Sequence, residues 1–368
     1  MTHSPPLRWT RQPAAAALGQ PDIAADWDRL NAQRGRLPFL DAGAISNALE
    51  VFGQGNEQLL TGRNGSHSVA MFVLSPQGAL RWQTFQPSQV PLGAWVAEAA
   101  LSLETLVDGL IRRPLGFCLV LSVTQVDPRF AARAEDSSTL RLADYIDTGW
   151  LPIEGRFEDY WAARGKNLRQ NMRKQRNKLA ADGVATCMRV LRDAAEMAPA
   201  LERYGALESA GWKAGEGTAI HSGNAQGRYY RRLFEDAAAR GEAVVYEYLF
   251  AERTVAMNLG LLRDGQLIVL KTAYDETIKS LSPAFLLREE ELQAFHGGTE
   301  VRCVEYYGKL MDWHTKLTSE KRTLYHLTRY RWPWVKQLAA RRAQQAQREA
   351  AEPAPAAQAA QPASEPSA

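Results

Sequence analysis

Cysteine is scarce in this chain of 368 residues, and the three present, Cys118, Cys187 and Cys303, stand far apart with no Cys-x-x-Cys spacing. That argues against a disulfide framework or a thiolate metal site and leaves buried free thiols as the expectation. Histidine, at six residues, is thin too. His67, His221, His296, His314 and His326 are scattered without short ligand spacings, so no metal is expected. No apolar run approaches the ~20 residues that a bilayer-spanning helix needs, so no membrane span is expected. The alanines at 14–17 are too few, and too soon followed by Gly19 and Pro21, to form a signal-peptide core. A cytoplasmic protein is the resulting expectation. An excess of charge is missing too: 44 Lys and Arg against 41 Asp and Glu leave a net charge of +3, too little to imply a nucleic-acid binder from bulk electrostatics.

What the chain does have is 45% hydrophobic residues over a length that suggests two domains with a sizeable core. Residues 1–21 read as a flexible leader, and residues 336–368 as a helix fraying into an Ala/Pro/Gln tail. Between them one order of elements occurs twice. Helical patterns near 26–33 and 41–52 precede strands near 58–60, 68–74 and 80–85, a helix at 95–112 and a strand at 117–123. Helices near 194–209 and 227–239 then precede strands 243–250, 255–262 and 267–274, helix 283–295 and strand 301–306. Both second strands carry Val-Ala-Met, at Val69–Met71 and Val255–Met257. The repeat predicts two α/β domains, at 22–153 and 154–335.

Residues 164–178 hold Arg164, Lys166, Arg169, Arg173, Lys174, Arg176 and Lys178 with no acid among them. On a helix spanning 160–180, Trp161, Leu168, Met172 and Leu179 make one apolar stripe and Arg169, Arg173 and Arg176 a ridge beside it. The ridge is either a solvated face paired with Glu154, Glu158 and Asp159, or a site for an anion such as CoA phosphates, a sugar nucleotide or tRNA.

Two motifs carry a resemblance. One is Ser209-Ala210-Gly211-Trp212-Lys213, running on to Gly217-Thr218-Ala219-Ile220; the other is Tyr274-Asp275-Glu276 followed by Leu281-Ser282-Pro283-Ala284-Phe285-Leu286-Leu287. In the second, Ser282 is placed as N-cap and Pro283 as first helical residue. Together they resemble a GNAT-type acyltransferase, and more narrowly the BioF2-like acetyltransferase domain of the CelD polysaccharide-biosynthesis group, similar in architecture to Fem peptidyltransferases. The resemblance runs from about Pro38 to about Trp332. It implies a tandem of two GNAT-like domains, with mixed, mostly antiparallel sheets flanked by helices.

The resemblance also implies where a donor would sit. Unpaired amides at the N-terminus of helix 283–295, by Ser282, Ala284 and Phe285, would take the CoA pyrophosphate, with Arg169 and Arg173 as further contacts. The usual Gln/Arg-x-x-Gly-x-Gly/Ala signature is absent. Trp212 and Lys213 would face the acceptor groove, and Lys309 and His314 would line it. For proton transfer and charge stabilisation the candidates are Asp275 or Glu305 as base, Tyr274 or Tyr306 as acid, and Lys316 toward donor phosphates or the developing oxyanion. The expected reaction moves an acyl group, acetyl from acetyl-CoA or another acyl-CoA, to an amine or hydroxyl of a sugar or envelope precursor. Two alternatives stay open: a Fem-like aminoacyltransferase fed by aminoacyl-tRNA, and a degenerate, non-catalytic assembly or regulatory subunit.

Overall fold

The computed structural model describes residues 7–112, 114–210, 220–221 and 223–351. In chain order these form β1 (Arg8–Pro13), α1 (Ala14–Leu18), α2 (Pro21–Ala32), α3 (Ala42–Phe52), β2 (Gln58–Asn64), β3 (His67–Pro76), β4 (Arg81–Thr84), β5 (Trp95–Ala97), α4 (Leu103–Arg112), β6 (Val120–Val126) and β7 (Leu140–Pro152). There follow α5 (Phe157–Ala162), α6 (Lys166–Ala181), β8 (Thr186–Leu191), α7 (Ala194–Ala210), α8 (Ala225–Ala238), β9 (Ala243–Phe250), β10 (Arg253–Arg263), β11 (Gln266–Tyr274), α9 (Pro283–Gly297), β12 (Cys303–Glu305), α10 (Asp312–Thr315), β13 (Lys321–Tyr330) and α11 (Pro333–Ala351).

The strands make one sheet in the order β1-β2-β3-β4-β6-β13-β7-β12-β11-β10-β9-β8, with β5 added on β3. Nearly all pairs are antiparallel. The two parallel pairs, β4 with β6 and β11 with β12, occupy matching places in the two halves. Turn chemistry sets the hairpins: Asp264 and Gly265 join β10 to β11 with φ of +51° and +78°, the pair of left-handed residues that a tight two-residue turn requires. One face of the sheet is covered by α1–α3 and α7–α8, which share a continuous apolar core. The other face carries α4 over the first half and α5, α6 and α9 over the second.

The halves exchange strands. β13, from the end of the chain, lies between β6 and β7 and is hydrogen-bonded to both. β7 continues past it, so that Trp150, Leu151 and Pro152 pair with β12 of the second half. A buried ion cluster sits at this crossing. Arg322 of β13 donates to Asp127 at 2.9 Å and to Glu305 at 2.8 Å, and Arg129 donates to Glu305 and, at 2.7 Å, to the Tyr307 hydroxyl.

The structure corrects several expectations. Residues 8–13 are not a loose leader but strand β1, because Trp9 packs on Phe72 with ring centroids 6.2 Å apart, over the bare faces of Gly62 and Gly109. The helix expected at 95–112 begins only at Leu103. Trp95, Val96 and Ala97 are all buried against β3, and Trp95 stacks on Phe72 at 5.4 Å. The basic helix is broken between Ala162 and Lys166. Of the cysteines only Cys118 is fully buried, while Cys187 is exposed on the edge strand β8.

Candidate active site

β11 and β12 run side by side for only three residue pairs, ending at Ile268 and Glu305, and then part. Just beyond, β11 is bulged: Val269 stands opposite Gly260 and Lys271 opposite Leu259, leaving Leu270 as the extra residue. A bulge interrupts the ladder and bends its strand, so β11 turns away where its partner ends and main-chain groups on the widening edge lose their strand partner. On the other side of this wedge Tyr307 is held at φ +49°, a left-handed conformation costly for an aromatic residue and of a kind that gathers at functional sites. It sends the two neighbouring rings to opposite faces: Tyr306 packs on the α9 side and Tyr307 on the α7–α8 side.

On the α9 face the centre is Arg288. It donates to Ala284 O at 3.0 Å and Thr272 Oγ1 at 2.9 Å and lies 3.9 Å above the Trp313 ring. Burial lowers its pKa, opposed by Tyr306, Glu291 and Tyr274. One turn along α9, Glu291 accepts two bonds from Asn258 Nδ2, at 2.7 and 2.9 Å, and burial pushes its carboxyl up to about 7. A cavity of about 10 Å³ lies between these groups and Tyr306, Val269 and Leu317, room for about one water. On the α7–α8 face Lys271 holds its ammonium 3.2 Å from Glu208 Oε1 and 5.6 Å from the Tyr230 ring centre, and Glu208 Oε2 accepts from Ile220 N at 2.9 Å.

The expected residues divide. Tyr274, Tyr306 and His314 do gather around Arg288. Burial, followed by the nearby Arg288, lowers the His314 pKa to about 4, and its Nδ1 accepts from Met311 N, so the ring is neutral. Burial raises the Tyr306 phenol, which therefore keeps its proton. Lys316 is exposed, with its ammonium 5.3 Å from the Phe285 ring in the first turn of α9, so Lys316, Ala284 and Phe285 share one neighbourhood. Lys309 is exposed, in the segment after β12. Trp212 and Lys213 lie outside the described residues.

Asp275 and Glu305 do not stand free as bases. Asp275 caps the short turn after β11, accepting from Thr277 N at 2.9 Å and Thr277 Oγ1 at 2.6 Å, while its other oxygen meets Arg253. Glu305 is divided between Arg129 and Arg322; burial raises its pKa and the two guanidiniums oppose that rise. Ser282 is at the N-cap position but makes no cap bond: at φ +54° its hydroxyl accepts from Asn171 Nδ2 of α6 at 3.0 Å. In the Arg ridge, Arg176 pairs with Glu289 and Glu290 of α9 rather than with the upstream acids. Arg169 donates to Arg164 O at 3.1 Å, and Arg173 is exposed. Sequence reasoning passed over Lys271, Glu208, Arg288 and Glu291. The signal was a lysine directly after the apolar run Leu267-Ile268-Val269-Leu270 in the same strand, and charges at the spacing of Leu287, Leu292 and Phe295.

A bulged strand thus parts from a parallel neighbour, with a helix N-terminus beside the gap. Residues 166–315 match the acetyltransferase (GNAT) domain family. The fold is GNAT-type. The C-terminal domain of a putative lysylphosphatidylglycerol synthetase from Agrobacterium fabrum shares 13% identity and a TM-score of 0.53, over 87% of this chain and 96% of its own. FemX (8% identity, TM-score 0.48) is covered over 90% of its length by 77% of this chain. A tandem GNAT protein from the clavulanic acid pathway (14%, 0.41) is covered over 98% by 87%. No curated protein matches. Among the described residues no group of His, Cys, Asp or Glu could hold a metal ion, and no helix is long and apolar enough to cross a membrane.

Proposed function

We propose that this chain is an acyltransferase that moves an acyl group, acetyl from acetyl-CoA, onto an amine or hydroxyl of a sugar in a cell-envelope or polysaccharide precursor, as in the BioF2-like group. The bulged β11 parting from β12 beside the N-terminus of α9 carries this reading. In the first turn of α9, which has no side-chain cap, Pro283 carries no N–H and Phe285 N donates to Ser282 O, so the Ala284 N–H is the amide that suits a donor phosphate oxygen, with Lys316 alongside. Main-chain N–H groups freed at the bulge are aimed at the carbonyl oxygen, where negative charge builds as the acceptor adds.

The acceptor comes from the α7–α8 face. Its nucleophile forms the new bond to the carbonyl carbon and gives its proton to the Glu208 carboxylate, while the Lys271 ammonium steadies that carboxylate. The carbon–sulfur bond then breaks with the Tyr306 phenol, which keeps its proton, donating a hydrogen bond to the leaving sulfur; the thiolate is protonated from water, to which Glu208 returns the proton it took. An amine or alcohol plus a thioester thus becomes an amide or ester plus a thiol.

The α9 face also favours a second reading. Trp313, Arg288 and Tyr306 fill it down to the small cavity by Glu291, so a pantetheine arm requires these side chains to move. An aminoacyl ester of tRNA, meeting Arg173 and Lys316, requires no such channel. Native mass spectrometry and calorimetry with acetyl-CoA and with aminoacyl-tRNA decide between them. Acetyl-CoA binding, weakened by Lys316→Met, supports the first reading; tRNA binding with a steep salt dependence supports the second. Binding of neither returns the chain to a non-catalytic assembly role.

A further inference from the structure

Far along β13 from the wedge, the surface carries aromatic rings where water would be expected. Phe117 is 57% exposed, Trp332 38%, Trp334 55% and Leu338 42%. These are fixed in place, not loose side chains. Trp332 stacks on Trp334 at 5.7 Å with ring planes 16° apart, and Phe117 meets Trp332 at 5.8 Å. Arg331 lies over both Phe117 and Trp332, at 5.4 and 5.5 Å, and is anchored by a 2.7 Å bond to Ile111 O.

α11 extends this patch. Val335 and Ala339 pack inward on Val120 and Tyr330, which turns Trp334, Leu338, Arg341, Gln345 and Arg348, spaced by four and three residues, outward as one stripe. Arg341 and Arg342 form no ion pair among the described residues, and α11 contains no acid before Glu349. Asp108 and Asp136 are tied to Arg329 and Lys336.

We infer that this face docks on an anionic lipid surface. Rings and a leucine continued along the same helix by Arg341 and Arg342 fit the boundary where acyl chains meet phosphates: the apolar groups enter and the arginine stems reach back to the headgroups. Tryptophan is the residue best suited to that boundary, with an apolar body and one N–H donor. A protein partner would need acids opposite Arg341 and Arg342; a bilayer containing anionic lipid presents that charge along the whole stripe.

Sedimentation of the full chain with vesicles tests this. Wild type is expected to pellet with phosphatidylcholine vesicles containing phosphatidylglycerol, to release in high salt, and to stay in solution with phosphatidylcholine alone. Trp334→Ala with Leu338→Ala is expected to weaken the partition by about tenfold or more, through lost apolar burial. Arg341→Glu with Arg342→Glu is expected to abolish the preference for anionic vesicles. All four positions are exposed, so an unchanged circular dichroism spectrum and melting point show that the fold persists. Failure to bind either vesicle overturns the inference, as does equal binding to both. Self-association that Trp334→Ala removes would assign the patch to a second copy of this chain, and tighter binding to single-stranded RNA than to vesicles would assign it to nucleic acid; either also overturns it.

Discussion

A lysine with 19% side-chain exposure, paired with a glutamate at 2%, is out of place in a strand that otherwise reads Leu-Ile-Val-Leu, and Lys271 and Glu208 meet where that strand bulges. If the pair handles the acceptor's proton, Lys271→Met lowers kcat and kcat/KM together by about a hundredfold or more, because the interaction is made in the transition state. A rise in KM alone would make Lys271 a binding residue, and wild-type kinetics would remove it from the site. The double change with Glu208→Gln controls for the buried carboxylate left unpaired. Glu291 gives a residue-scale test that does not depend on activity. Its folded pKa of about 7 lies above the ordinary 4.5, so the folded state holds an extra proton between those values. Its stability contribution is therefore complete below about 4.5 and is lost as pH rises through 7. His314, lowered to about 4, acts in the opposite sense: its contribution is present above about 6.5 and is lost as pH falls toward 4. Glu291→Gln removes only the first effect. The variant should gain urea stability relative to wild type on going from pH 5 to pH 8, and an equal difference at both pH values would show that Glu291 does not take up the proton.

At the scale of elements, α9 begins differently from the expectation of a serine cap. Ser282 sits in the left-handed region with its hydroxyl bonded to Asn171 of α6, so the side chain ties two helices together while the Ser282 carbonyl accepts from Phe285 N and Leu286 N, at 3.0 and 3.1 Å. Ser282→Ala loses that bond at a cost of about 1 kcal/mol and keeps the strained backbone. Ser282→Gly loses the same bond but relieves a conformation that costs an L-residue about 1 kcal/mol, so the glycine variant should be the more stable of the two in chemical denaturation. The opposite order would mean that the strain is carried elsewhere. The elements that were legible share a cause. β9, β10 and α9 have strong apolar patterns, and Asp264-Gly265 marks the turn into β11. The unread ones also share one. β7 and β13 are wet on parts of both faces, with polar residues such as Asp144, Asp147, Thr323 and Arg329 throughout, so no apolar alternation identifies them. The candidate site was half legible for the same reason: Tyr274, Tyr306 and the α9 entrance follow from motif order, whereas the bulge, the ion cluster and the Lys271–Glu208 pair depend on strand partners far away in the chain.

At the scale of the whole molecule, exchange of β7 and β13 means that neither half owns a complete sheet. Removing β13 takes the middle strand from between β6 and β7, leaves both with unpaired edges, and strips Arg322 from Asp127 and Glu305 in the buried cluster. Removing one partner from a buried ion cluster alone costs about 3–5 kcal/mol, a large part of the 5–15 kcal/mol that stabilises a typical domain. A chain ending at residue 320 should therefore fail to fold in either half. A fragment of residues 154–335 should fare no better: it keeps the whole β11–β12 wedge but loses β7, so β12 is left with one neighbour and Glu305 without Arg129. Arg322→Ala in the full chain probes the same junction more gently. It should lower the urea midpoint in a single cooperative transition, because the two halves share β13. Soluble fragments that unfold cooperatively, or an Arg322→Ala protein whose halves melt separately, would mean that the crossing strands decorate two independent domains, and that the wedge is held by the second half alone.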